Sequence, residues 1–310
     1  MMLRHASLSA VLTLLLFAST PLQAADAILD EVITAARTKS VNGETPDWQK
    51  VEREAYVLLT RTPGEAGRTA AIRYVLTSLD DGHSFYMPPT PASSTSGSAG
   101  TTSRDTTAPQ RPASRRIATA HDTVQVVGHL AIHAWSGGSA AIPAATHEVR
   151  EALNQALTDA RCGLVIDVAH NSGGNMWPMM GGIAPLYDEG VLETFQGRDG
   201  ERQVVNIDAG VLRMNDSVFP RVELPAPARR PARLAILIGP GTMSSGEILA
   251  LGFKGQRNVR FFGQPTYGAT TANQSMRLAN GGMVALTTAR ILDRQGAVHH
   301  GPVIPDETTD

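Results

Sequence analysis

"RLAILIGPGTMSSGEILALGFKG", residues 233–255, is the stretch on which the fold turns. The apolar run from Leu234 to Ile238 has the pattern of a strand buried on both faces. Gly239, Pro240 and Gly241 mark a turn, and Ile248, Leu249, Leu251 and Phe253 then give a helix an apolar stripe that stops before Gly255. A strand that feeds a helix through a glycine-rich turn is the repeating unit of an α/β domain. Two serines stand at the junction. Ser244 and Glu247 spell S-x-x-E, a capping box in which hydroxyl and carboxylate satisfy orphan amides of the first turn. The same place would give a serine nucleophile exposed N–H groups and a positive helix end for a developing oxyanion. Local sequence allows both readings.

Outward from this unit the alternation continues. "GLVIDVA", "NVRFFG" and "MVALTTARIL" are short apolar runs suited to a buried sheet, and "VQVVGHLAIHAW" suggests a strand pair. "THEVREALNQALTDA" places Val149, Leu153, Ala156, Leu157 and Ala160 on one helical face. The predicted α/β core domain therefore occupies residues 117–310. Residues 25–90 read differently: "ILDEVITAARTKS", "DWQKVEREAYVLLTR" and "AGRTAAIRYVLTSL" carry helical spacing, separated by turn residues, and predict a small helical subdomain. Between the two lies a Ser/Thr/Gly/Pro-rich stretch, 91–116, too polar to offset its ordering entropy and so expected to be a disordered linker.

The 310 residues are 42% hydrophobic and 18% charged, enough for a sizeable core. Lys and Arg number 27 against 29 Asp and Glu, so no overall field invites nucleic acid or an anionic membrane. The first residues, with Arg4, an apolar run from Ala10 to Phe17, Pro21 and the small Ala24 and Ala25, have the layout of a secretory signal peptide spanning 1–24. The run is too short to span a bilayer. Export to the periplasm or beyond is the expectation. Cys162 is the single cysteine, which rules out an intramolecular disulfide, and its apolar neighbours predict a buried packing role.

A serine nucleophile needs a base. Of nine histidines, His83 in "LDDGHSFYMPP" sits in a glycine-containing turn beside acidic residues, where proton transfer is more accessible than in a core. His129 and His133 lie in strand-like text and read as packing residues. His299 and His300 have no second cluster at ligand spacing, so neither metal nor other cofactor is expected. In "VIDVAHNSGGNMWP", Gly173 and Gly174 permit positive φ and a close backbone approach, whether as an amide-lined site or a plain turn. "GQPTYGATTANQ" reads as a substrate-facing loop or a connector, and Met176, Trp177, Met179 and Met180 as core or groove.

Taken in order, "LDDGHSFYMPP", "GLVIDVAHNSGGNMWPMMGGIAPL", "LIGPGTMSSGEILA", "FFGQPTYGATTANQ" and "DRQGAVHHGPVIPDE" resemble the blocks of the tail-specific, or C-terminal processing, serine peptidase family. The resemblance implies a ClpP/crotonase-like ββα core and an endopeptidase acting on polypeptide through an acyl-enzyme. It places the nucleophile at Ser244, oxyanion donors at Ser245 and at Gly173 or Gly174, and no cofactor. Its lysine-dependent branch has a lysine where Ala269 stands, and only Lys39, Lys50 and Lys254 occur in the chain. The tricorn-core-like branch takes its base from the histidine turn, which maps to His83. That branch's acidic partner is missing from "AVHHGPVIPDE", leaving Asp81, Glu247 or Asp306 to orient the histidine, and Ala169 replaces a familiar arginine. The linker at 91–116 stands where many relatives insert a PDZ domain and is too short and polar to be one. Retinoid-binding relatives use the same fold without catalysis, so a peptide- or apolar-ligand-binding protein is the alternative. A polypeptide partner is implied, with no nucleic acid and no membrane beyond export; nothing in the sequence bears on oligomeric state.

Overall fold

The computed structural model describes residues 26–89, 116–124, 126–158, 160–225 and 230–309. The signal peptide and all but the last residue of the linker expected at 91–116 lie outside the described residues.

Three helices open the chain. α1 (Ala27–Lys39) is capped by Asp26, whose side chain accepts from Leu29 N at 3.0 Å, and α2 (Trp48–Arg61) by Asp47, which accepts from Lys50 N at 3.2 Å. α3 (Glu65–Thr77) starts after Gly64 at φ 81 and leads into the short strand β1 (Phe85–Met87). Leu29, Val32 and Ala36 of α1 and Ile72 and Val75 of α3 recur at helical spacing and are fully buried.

The core domain holds a six-stranded sheet. Its strands are β2 (Ala118–Val124), β3 (Val127–Ile132), β4 (Gly163–Asp167), β9 (Leu234–Ile238), β10 (Val259–Gly263) and β13 (Glu307–Thr308), in the order β13-β10-β9-β4-β3-β2. All neighbours are parallel except β2 and β3. Helices α4 (Ile142–Leu157), α5 (Met176–Ile183) and α6 (Ser245–Leu251) connect them. Parallel strands joined through helices must be covered on their faces, which is why Leu164, Ile166 and Ile236 are at most 1% exposed. The α/β reading of the sequence holds.

Between α5 and β9 the chain makes an antiparallel meander of β5 (Gly190–Gly197), β6 (Arg202–Asp208), β7 (Val211–Met214) and β8 (Ser217–Val218). β12 (Met283–Asp293) joins it, pairing with β5 through its second half and with β1 through its first, while β11 (Thr271–Arg277) runs along β12's other edge. β12 is thus the seam between the helical unit and the core domain. Val284 and Leu286 of β12 and Leu278 pack in one cluster with α1, α2 and α3. Each such buried side chain contributes about 1.5–3 kcal/mol, so the helices and the C-terminal hairpin stabilise each other.

Two local expectations change. The strand pair sought in "VQVVGHLAIHAW" begins earlier, because β2 ends at Val124 and the chain reverses around Val126, which takes φ 65. A β-branched residue there is an uncommon turn former, so no Gly or Asn signals the reversal. Cys162 is exposed: β4 starts only at Gly163, and Cys162 lies in the preceding turn, its N–H donated to Val126 O at 3.0 Å.

Candidate active site

The loops after β4, β9 and β10 leave the carboxyl ends of adjacent parallel strands, where open α/β sheets bind ligands. The β9 loop reaches Ser244 and is pinned from three sides. Thr242 Oγ1 donates to Val168 O at 2.8 Å and accepts from Gly239 N at 3.0 Å, and Met243 N donates to Asn171 O at 2.9 Å. Ser244 is the N-cap of α6 at φ 51 and ψ −118, a left-handed conformation that costs a non-glycine residue about 1–3 kcal/mol. Ser244 N donates to Glu247 Oε2 at 2.9 Å, the glutamate half of the capping box. Ser244 Oγ lies 2.9 Å from His83 Nε2. Cap and candidate nucleophile are the same residue.

His83 arrives from the other side of the molecule. It stands between α3 and β1, and β1 is fixed by its pairing with β12. Asp81 caps the turn, its carboxylate accepting from His83 N at 3.0 Å, Ser84 N at 2.7 Å and Ser84 Oγ at 2.6 Å. His83 O accepts from Asn273 Nδ2 at 2.9 Å, and Asn273 Oδ1 accepts from Thr287 Oγ1 at 2.9 Å. The backbone at His83 is therefore held by Asn273 of β11, which Thr287 of β12 braces in turn. Burial lowers the His83 pKa below the usual histidine value, with the nearby Asp81 charge opposing. A neutral imidazole with a free lone pair is the consequence at pH 7.

None of the three acids offered as a partner for this ring hydrogen-bonds to it. Thr271 does: its Oγ1 lies 2.8 Å from His83 Nδ1. Asp81 is occupied with the turn. Glu247 is wholly buried and binds Ser244 N, Gly268 N at 2.7 Å and Thr266 Oγ1, tying α6 to the loop after β10. Burial pushes its carboxyl pKa up, against the pull of these hydrogen bonds. Asp306 Oδ2 accepts from Phe261 N at 2.8 Å, fixing the tail to β10. The group that supports the ring is a hydroxyl in "TYGATTANQ", a segment without a carboxylate.

Gly173 and Gly174 take φ 95 and 111, and an added Cβ on Gly173 would meet Met243 O and Ser244 Cβ, each at 2.9 Å. The glycines let this loop lie against the nucleophile turn. Gly173 N donates to Asn171 Oδ1 at 2.9 Å, whereas Ser245 Oγ donates to Gly174 O at 2.5 Å. Asn171 is itself fully buried, with Nδ2 donated to Ile132 O at 3.2 Å. Ser244, His83, Gly174, Ser245, Trp177 and Tyr267 line one cleft of about 1490 Å³. Met179 and Met180 are core residues while Met176 and Trp177 face the cleft, so the Met-rich stretch serves both purposes. Among the described residues no group of three or more His, Cys, Asp or Glu could hold a metal ion.

The sequence model of peptidase family S41 matches residues 126–309, which include Ser244 but begin after His83. The chain is 32% identical over 149 residues to the nisin-resistance protein of Lactococcus lactis subsp. lactis, covering 48% of this chain and 46% of that protein. It is 29% identical over 147 residues to the chloroplastic carboxyl-terminal-processing peptidase 2 of Arabidopsis thaliana, covering 47% and 25%. The matches thus span less than half the length of these relatives. A lipoprotein from Streptococcus agalactiae shares the fold at TM-score 0.70 and 20% identity over 91% of each chain. The photosystem II D1 C-terminal processing protease does so at TM-score 0.59 and 19% identity, over 91% of this chain and 92% of that one.

Proposed function

The chain belongs to peptidase family S41, and from that premise we propose that it hydrolyses peptide bonds through an acyl-enzyme, with Ser244 as nucleophile and His83 as general base. The observation that carries the reading is the 2.9 Å contact between His83 Nε2 and Ser244 Oγ. Nδ1 donates its proton to Thr271 Oγ1, which leaves the Nε2 lone pair facing the hydroxyl.

His83 removes the Ser244 proton as Oγ attacks the scissile carbonyl carbon. The oxyanion falls to Gly174 N and Ser245 N, because Gly173 N is already donated to Asn171. The imidazolium is stabilised by the Asp81 carboxylate beside it and gives its proton to the leaving amine as the C–N bond breaks. Water then attacks the acyl-enzyme, losing its proton to His83, and the product acid leaves with Ser244 restored.

Polypeptide is the substrate class that fits the open cleft. Residues 1–24 carry the export reading, so the site of action is the periplasm or the exterior. Among the described residues no helix is long and apolar enough to cross a membrane. Casein hydrolysis by the protein beginning at Ala25, beside Ser244→Ala and His83→Ala with folding checked by circular dichroism, tests the proposal. Cleavage by the wild type and loss in both folded variants is expected. Equal cleavage by all three, or none by the wild type, would favour the binding-protein alternative. Ester turnover without peptide turnover would make it an acyl hydrolase of smaller substrates.

A further inference from the structure

A second cavity, of about 320 Å³, is lined by Arg150 of α4 with Leu212, Phe219, Pro220, Val222 and Leu224. The Phe219 ring meets Trp177 edge-on at 4.5 Å between centroids, and Trp177 lines the cleft that holds Ser244. One aromatic pair therefore touches both cavities.

The lining is apolar apart from one charge. Arg150 is 4% exposed; its Nε donates to Gly182 O at 2.7 Å and its Nη1 to Pro225 O at 2.6 Å. Burial moves its pKa downward, and among the described residues no acidic neighbour opposes the shift. The two carbonyls leave the buried guanidinium without a counter-charge among the described residues, and burying a charge unpaired is costly. The planar fork of five N–H groups keeps donors for a ligand, in the geometry that matches a carboxylate.

We propose that this cavity binds a carboxylate carried on an apolar body, with the carboxylate on Arg150 and the body among Leu212, Phe219, Pro220 and Leu224. Its volume lies at the small end of ligand pockets, which run from roughly 300 to 1,000 Å³, and suits one side chain or a short alkyl chain. A polypeptide ending in an apolar residue and a short fatty acid both present this chemistry. The site does not depend on reaction at Ser244.

Isothermal titration of the Ser244→Ala protein with octanoate and octanamide, and with a short peptide ending in leucine as free acid and as amide, tests the assignment. At least one acid should bind about tenfold or more tighter than its neutral counterpart. The acid that does so identifies the source. Val211 also lines the cavity and is 40% exposed, so Val211→Glu should fold and should weaken acid binding about fivefold or more by repulsion. Acids that bind no better than amides, or binding unaltered by Val211→Glu, would overturn the proposal.

Discussion

His83 rests on a hydroxyl where a carboxylate is the commoner support, and this sets what each side chain contributes. Thr271 holds the ring at Nδ1 but carries no charge to offset an imidazolium. Thr271→Val should lower kcat about fivefold with little change in KM, as loss of a neutral hydrogen bond worth about 1 kcal/mol predicts, and Thr271→Ser should restore it. Removing the base costs more: His83→Ala should reduce kcat by about 10⁴ or more, measured on an unstructured protein substrate. The pH dependence follows from burial of the ring. Because the folded protein holds the His83 pKa below the ordinary histidine value, activity should fall on acidification with a midpoint below the pH of about 6.5 that an ordinary histidine would set. Stability moves in the same direction. Below about pH 6.5 the unfolded chain binds a proton that the folded ring resists, so the melting temperature should drop as pH falls through that window, and less so in His83→Gln.

The loop after β4 works as one element with the turn before α6. Gly173→Ala puts a methyl group 2.9 Å from both Ser244 Cβ and Met243 O at φ 95, so the loop must retreat from the nucleophile. We expect a stability loss of about 1–3 kcal/mol and at least about a hundredfold lower kcat, read by denaturant melts and kinetics on the same sample. The turn itself was legible in the sequence, but paired glycines serve an amide-lined site and a plain turn alike, so the approach to Ser244 shows only in the fold. The strand, turn and helix around Ser244 were legible because buried-strand patterning and a capping box are local signals. The roles of Glu247 and Asp306 were not settled locally, since both find partners through tertiary contacts, whereas Asp81 is occupied by the amides and hydroxyl of its own turn. Glu247 is bound to the loop after β10 and Asp306 to β10 itself. The meander from β5 to β8 is hidden in the sequence because β5 sets the polar Glu193 and Thr194 in its buried middle, against the usual strand pattern. Arg150 sits on a helix face as an ordinary arginine would, and only packing reveals that it is buried with no counter-ion among the described residues.

At the scale of the molecule the two halves of the site come from opposite ends of the chain. His83 is carried by the helical unit and Ser244 by the core domain, and β12 joins them by pairing with both β1 and β5. The helices share one apolar cluster with Leu278, Val284 and Leu286, so they should not melt independently. Calorimetry should show a single transition with equal van't Hoff and calorimetric enthalpies, and two resolved transitions would contradict the shared core. Assembly of the site then has a chemical readout. The most direct test is intact-mass analysis after brief exposure to diisopropyl fluorophosphate, followed by peptide mapping. The account predicts one adduct, on Ser244, formed by the wild type and not by folded His83→Ala in the same time. No adduct on the folded wild type, or equal labelling of Ser244 without His83, would contradict the claim that this histidine activates this serine.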